Sequence, residues 1–263
     1  MNLSPHCWDP LEDPSPWLRA LERFQPALPS PRSPHRQAEL PPPQPPLLLR
    51  LVCQGWPALV HGPLLAWLTP EERQQSERLR RLEDRERHLL GRAGLRRLLG
   101  EWWRQEPQSV PLRRGAHGKP FCPGGPHFNI SHSGDLVLLA VHPHSPVGVD
   151  VEQLRAELDW RPLASRLLCG AECRQLEGLP ASAQPNAFLQ AWCRLEARLK
   201  ATGQGFAGLD ALRRRAERAG ALELGHRAEL LWDLDLPSGY CGALACLVAE
   251  VSEQRQDGDA VGW

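Results

Sequence analysis

Lysine is nearly missing from this chain. Of 31 basic residues only Lys119 and Lys200 are lysines, and the rest are arginine. Drift of composition would account for a general preference for arginine. A phosphate site would account for two retained ammonium groups, because the two cations are not interchangeable there. Net charge is lacking too: 31 basic residues meet 31 acidic ones. Nothing global therefore recommends nucleic acid or an anionic membrane as a partner. No apolar run reaches membrane-spanning length, since Leu47 to Val52 is interrupted by Arg50. The first residues have no basic stretch leading into an apolar one, so no secretory signal is expected and the cytoplasm is the default compartment. Only Cys169 and Cys173, of eight scattered cysteines, approach a metal-ligand spacing, and no second pair completes a zinc site. Reduced, mostly buried thiols are expected. The Walker pattern G-x-x-x-x-G-K-[ST] and the nucleophile elbow G-x-S-x-G are both absent.

What is present begins with proline. Residues 1–50 culminate in the run Pro41 to Pro46, broken only by Gln44, which favours extended polyproline conformations over a core. Trp8, Trp17, Leu18, Leu21 and Phe24 could dock a short piece of it. Thr69-Pro70-Glu71-Glu72 then has the form of a helix start, with Thr69 as cap, Pro70 in the first turn and Glu72 three residues on. The helical region it opens runs to about Trp103, with a break expected near Gly91 or Gly94. Ten arginines face eight acids between Glu71 and Glu106. Interleaved signs of that kind indicate a solvated, salt-bridged face rather than a nucleic-acid surface. Val110 to Pro126 reads as a loop with a basic, Gly-containing tip (Arg113, Arg114, Gly115, Gly118, Lys119), which could hold phosphate through backbone N–H groups and side chains.

The stretch Phe128 to Glu152 organises the chain. Small polar groups in Phe128-Asn129-Ile130-Ser131-His132-Ser133 precede a Gly134-Asp135 turn, and Leu136 to Val141 is an apolar run of strand length. Pro143 and Pro146 bracket a second turn, and Val147 to Glu152 reads as the returning strand of a hairpin. Asp150 and Glu152 leave one face of that strand, where two acids persist only if they are solvated or hold a cation. Further on, Ala187 to Ala201 is a strong helix ended by Gly203, with Glu196 and Lys200 at i and i+4. The remainder reads as an antiparallel strand pair, Ala228 to Leu236 and Tyr240 to Val251.

Taken in order, Gly118-Lys119-Pro120, Phe128 to Ser133, Gly148 to Glu152 and Trp192 to Lys200 closely resemble the long, Sfp-type 4′-phosphopantetheinyl transferases. The resemblance spans roughly residues 57–250. It implies an α/β (α+β) protein, a monomer of two similar α/β halves related by pseudo-twofold symmetry. Each half would be a small, mainly antiparallel sheet packed with a long helix, and the active site would lie at their junction. On that basis residues 1–50 form a Pro-rich, largely disordered extension, 51–145 the N-terminal half, 146–252 the C-terminal half and 253–263 a tail. The implied reaction carries phosphopantetheine from coenzyme A to a serine of an apo acyl, polyketide or peptidyl carrier protein, releasing adenosine 3′,5′-bisphosphate.

By resemblance Mg²⁺ would be held by Asp150, Glu152 and Glu196, hard oxygen ligands that suit it. Glu196, or a metal-bound water beside it, would be the base and Lys200 would meet the pyrophosphate. Arg113 and Lys119 fall where the family contacts the nucleotide, and Ser131 and His132 match its phosphate-contacting pair. Two departures stand out. Leu195 occupies the place of a family lysine before Glu196, leaving Arg194 or Arg198 to substitute. Glu72 and Gln75 occupy positions where relatives place basic side chains, leaving Arg73 or Arg78. Three other readings compete: a non-catalytic module binding coenzyme A or carrier protein, a hydrolase using Ser131 or Ser133 with His132 and Asp150, and a nucleic-acid binder.

Overall fold

The computed structural model describes residues 2–3, 6–7, 46–52, 63–154, 158–219, 223–224 and 227–249. The aromatic segment Trp8 to Phe24, the proline run and the tail 253–263 lie outside them. Eleven strands and six helices are named in chain order: β1 (Asn2–Leu3), β2 (His6–Cys7), β3 (Leu47–Val52), α1 (Pro70–Glu77), α2 (Leu82–Trp103), β4 (Arg113–Arg114), β5 (Pro120–Phe121), β6 (His127–Ser133), β7 (Leu136–His142), β8 (Val147–Gln153), α3 (Arg161–Leu167), α4 (Gly170–Glu177), α5 (Gln184–Thr202), α6 (Leu209–Ala219), β9 (Glu223–Leu224), β10 (Arg227–Leu234) and β11 (Tyr240–Ala249).

Two sheets carry the molecule. One has the order β2-β3-β7-β6, the other β1-β10-β11-β8 with β9 added beside β10. Every pairing is antiparallel except those of the two short N-terminal strands. Helix α2 lays Leu90, Leu95, Leu98 and Leu99 on the first sheet, against Leu51, Val137 and Leu139. Helix α5 lays Phe188, Cys193, Ala197 and Leu199 on the second, against Ala243 and Ala245. The opposite faces of the sheets meet in a third cluster, where Leu136, Leu138 and Ala140 touch Val147, Val149, Val151 and Leu244. The layers therefore run helix, sheet, sheet, helix. The expected pair of α/β halves, each a small sheet with one long helix, is what the chain forms.

Two local expectations need correction. The strands β7 and β8 are not a hairpin: β7 pairs with β3 and β6, whereas β8 pairs with β11. The segment with Pro143 and Pro146 is instead the crossover from one sheet to the other. All seven residues of β7 are buried, because it has a helix on one face and the second sheet on the other. The long helix breaks at 78–81, between α1 and α2, and not at its glycines. A Cβ on Gly94 would lie 2.9 Å from Leu51 Cδ1, so that glycine lets helix and sheet approach. Two short strands also lie at the start of the extension: Asn2–Leu3 pairs with β10 in one sheet and His6–Cys7 with β3 in the other. An edge strand needs only backbone partners, so composition gives no warning of it.

The capping box is as the sequence indicates. Thr69 Oγ1 accepts from the Glu72 N–H, and the Glu72 side chain accepts from the Thr69 N–H. Glu72 has a second task. Its Oε2 receives Nε of Arg96 at 2.5 Å, and Nη1 of Arg96 donates to the carbonyls of Pro107, Gln108 and Val110 at 3.0, 3.2 and 3.1 Å. Arg96 is only 4% exposed. One buried guanidinium thus fastens α1, α2 and the loop after α2 together.

Candidate active site

The outer edge of β8 faces β6 and is not closed by another strand. Polar side chains on alternate residues of β6 serve it instead. Asn129 Oδ1, Ser131 Oγ and Ser133 Oγ accept from the N–H groups of Val149, Val151 and Gln153 at 2.9, 3.4 and 3.0 Å. The two hydroxyls then donate to carboxylates of the same strand: Ser131 to Asp150 Oδ1 and Ser133 to Glu152 Oε2, each at 2.9 Å. This seam is the junction of the halves, and it holds both acids of the D-x-E pair by one oxygen apiece.

Helix α5 brings the other two groups. Gly148 lets it settle on β8, since a Cβ there would stand 2.0 Å from the Ala197 carbonyl oxygen and 2.3 Å from the Ala201 nitrogen. Nζ of Lys200 consequently reaches Asp150 Oδ1 at 2.5 Å and Ser131 Oγ at 3.1 Å. Glu196, one turn earlier, lines the same cleft of about 240 Å³ together with Asn129, Lys119 and Phe206. Burial raises the Glu196 pKa; Lys200 opposes that, while the negative charges of Asp150 and Glu152 reinforce it. Asp150 is 4% exposed, and its Oδ2 has no hydrogen-bond partner. A buried, unpartnered carboxylate oxygen among three acids is what a hard divalent cation satisfies. The donor set fits Mg²⁺ in kind, although among the described residues no three such side chains already close around one point.

The remaining expected residues separate into three places. His132 leaves β6 on the side opposite Ser131 and Ser133, at the exposed rim. Crowding by surrounding protein, then Arg87 and Lys200, hold its pKa below the ordinary histidine value. No Ser-His-Asp relay forms, because Ser131 donates directly to Asp150. Arg113 lines a second groove, of about 380 Å³, whose walls also carry Arg92, Arg96 and Arg114. Lys119 lines the first cleft, but its ammonium is engaged by three backbone carbonyls.

Both departures noted in the sequence have a structural outcome. Arg194 is spent on Asp233 in a two-pronged pair and Arg198 on Glu229, so neither stands in for a lysine at Leu195, itself buried in the core. Arg73 donates to the Leu68 carbonyl and does not line the arginine groove; neither does Arg78. The groove's charge comes from α2 and β4. Arg114 belongs to the basic loop the sequence already offered for phosphate, whereas Arg92 was missed because α2 interleaves its signs. Half of the expected salt-bridged face does exist, as Arg87–Asp84 and Arg97–Glu101, but Arg92 and Arg96 turn inward.

Two family models lie end to end on the chain. One, described as "4'-phosphopantetheinyl transferase, N-terminal", matches residues 61–144, and one described as "4'-phosphopantetheinyl transferase superfamily" matches residues 146–245. The chain belongs to the 4′-phosphopantetheinyl transferase superfamily. The boundary between the two matches falls in the crossover from β7 to β8, where the chain passes between sheets. Among curated superfamily proteins, it is 37% identical over 152 residues to "4'-phosphopantetheinyl transferase HetI" of Nostoc sp., covering 56% of this chain and 64% of that one. It is 34% identical over 157 residues to "4'-phosphopantetheinyl transferase psf-1" of Bacillus pumilus, covering 59% and 66%. It is 29% identical over 144 residues to "4'-phosphopantetheinyl transferase Sfp" of Bacillus subtilis strain 168, covering 54% and 62%. The chain thus spans just under two thirds of the length of the curated relatives it matches. No helix among the described residues is long and apolar enough to cross a membrane.

Proposed function

We propose that the chain transfers 4′-phosphopantetheine from coenzyme A to a serine hydroxyl of an apo carrier protein, with Mg²⁺, releasing adenosine 3′,5′-bisphosphate. The observation that carries this reading is the unpartnered Oδ2 of buried Asp150, bonded through its other oxygen to Lys200, which lines a cleft at the junction of two halves together with Glu196. Asp150, Glu152 and Glu196 would hold the metal, whose chemistry is to neutralise charge on the pyrophosphate oxygens. Lys200 supplies a point charge for the bond being cleaved. Glu196 takes the serine proton, a task suited to a carboxylate whose affinity for protons is raised by burial. An apolar hollow beside Glu152, lined by Leu158, Leu163, Leu167, Phe188 and Trp192, receives the pantetheine arm. Both walls of the cleft come from one chain, so a monomer suffices. Six free thiols among the described residues suit a reducing cytoplasm.

The nucleotide end belongs to the second groove. Burial first, then neighbouring cations, hold His88 and Arg92 below their ordinary values: Arg92, His132 and Arg114 act on His88, Arg114 and Arg96 act on Arg92, and Glu72 opposes the shift in both. The Nε2 of His88 is buried without a partner, and the nearby Glu72 is already committed to Arg96. The groove's four arginines outnumber its two acids, Glu71 and Glu72, an excess that suits a dianionic phosphate monoester.

The test is incubation with coenzyme A, Mg²⁺ and a panel of apo carrier proteins, read by intact mass. Gain of one phosphopantetheine on the carrier, lost in excess chelator, is the expected result. No gain on any carrier, or full transfer without divalent metal, refutes the reading. Within an active enzyme, Arg92→Ala should raise the KM for coenzyme A by about tenfold or more. It should leave the KM for 3′-dephospho-coenzyme A nearly unchanged; equal effects on both substrates would remove Arg92 from the phosphate site.

A further inference from the structure

The ammonium group of Lys119 has three protons to donate, and three carbonyls receive them. Val147 O lies at 2.8 Å, Lys200 O at 2.6 Å and Ala201 O at 3.2 Å. The last two belong to the final turn of α5, where carbonyls have no intrahelical partner and where a cation meets the negative end of the helix. The first belongs to the opening residue of β8, on the edge that the seam serves further along. One side chain from the N-terminal half therefore fastens the end of the helix carrying Glu196 and Lys200 to the start of the strand carrying Asp150 and Glu152. Burial brings its pKa down to about 8, so the charge is kept there at a cost in desolvation that the carbonyls offset. Gly203 in the neighbouring turn packs beside it: a Cβ there would lie 3.4 Å from Lys119 Cδ, an ordinary contact.

We propose that Lys119 is a positioning residue for the transfer reaction. Its three carbonyl contacts set how far α5 extends along β8, and thereby where Lys200 and Glu196 stand over Asp150. Its ammonium makes no contact with the nucleotide. The proposal rests on the function given above but is tested apart from it. Arginine is a poor replacement, because a planar fork cannot meet three carbonyls converging on one point.

Two variants, Lys119→Met and Lys119→Arg, are measured in two ways. In steady-state transfer, kcat should fall about tenfold or more in both, with the KM for coenzyme A within about twofold of the parent. A KM that rises several-fold while kcat holds would mean that Lys119 contacts the nucleotide and would overturn the proposal, as would kinetics like those of the parent. In amide hydrogen exchange without coenzyme A, the segments 199–203 and 147–149 should exchange faster in both variants. Unchanged exchange in these segments also overturns it, even for a chain that transfers nothing, so loss of the clamp and loss of the proposed activity are separable. Should Lys119→Met fail to fold, Lys119→Arg, which keeps the cation, carries both measurements.

Discussion

Glu196→Gln should abolish transfer and at the same time make the metal-free protein more stable. Loss of the proton acceptor lowers kcat by about a hundred- to ten-thousand-fold. The gain in stability follows from the direction of the pKa shift. Burial holds the Glu196 carboxyl above its ordinary 4.5, with Lys200 acting against that and Asp150 and Glu152 adding to it. Between 4.5 and the raised value the folded state binds more protons than the unfolded one, so stability is lost as pH rises through that window. Glutamine carries no charge to desolvate. Thermal melts in chelator should therefore coincide for parent and variant near the bottom of the window and separate above it, with the variant melting higher. A variant less stable than the parent at neutral pH would show that the carboxylate is well compensated in the free protein. Trading stability for chemistry in this way is usual where like charges are gathered for function.

Glu72→Ala should be the most damaging single change to the fold of the N-terminal half. It leaves Arg96 buried with three carbonyls but no counter-charge. Removing one partner of a buried pair costs about 3–5 kcal/mol, which for a chain of this size lowers Tm on the order of 10 °C. Thr69→Ala breaks only the cap side of the same arrangement and should cost about 1 kcal/mol. Differential scanning calorimetry of the two variants decides whether Glu72 serves chiefly Arg96 or chiefly the helix start. Comparable melting temperatures would reject the larger role. Loss of Arg96's anchor should also loosen the arginine groove, so a residual Glu72→Ala enzyme should bind coenzyme A more weakly.

Signals that act within a few residues were legible in the sequence. The Thr69–Glu72 box, the helix over Ala187 to Ala201 with its glycine stop, and the strands either side of Gly239 are all where local chemistry puts them. The spacing of Asp150, Glu152, Glu196 and Lys200 singled these four out, and the fold sets Glu196 and Lys200 on one cleft with Asp150 bonded to Lys200 beneath. Signals that depend on partners were not legible. Pro143 and Pro146 announce a change of direction but not which strand will be met next, and β8 pairs with a strand almost ninety residues on. Asn129, Ser131 and Ser133 alternate as a solvent-facing strand would, yet all three are buried because they bond a neighbouring edge. Arg92 and Arg96 look like their exposed neighbours, since inward and outward arginines differ only in what surrounds them.

The side-chain seam between β6 and β8 also bears on how the molecule comes together. Each of its three N–H links joins residues just 20 apart in the chain, with β7 occupying the interval. Loop-closure entropy for such a span is modest and grows only logarithmically with length, so these are low-contact-order contacts. The junction therefore need not wait for two finished halves to collide. It can condense within the stretch from Asn129 to Gln153, around which α2 assembles from one side and α5, β10 and β11 from the other. Asp150, Glu152 and the serines that hold them would then be in register before either helix docks, and α5 would bring Glu196 and Lys200 to a floor already set.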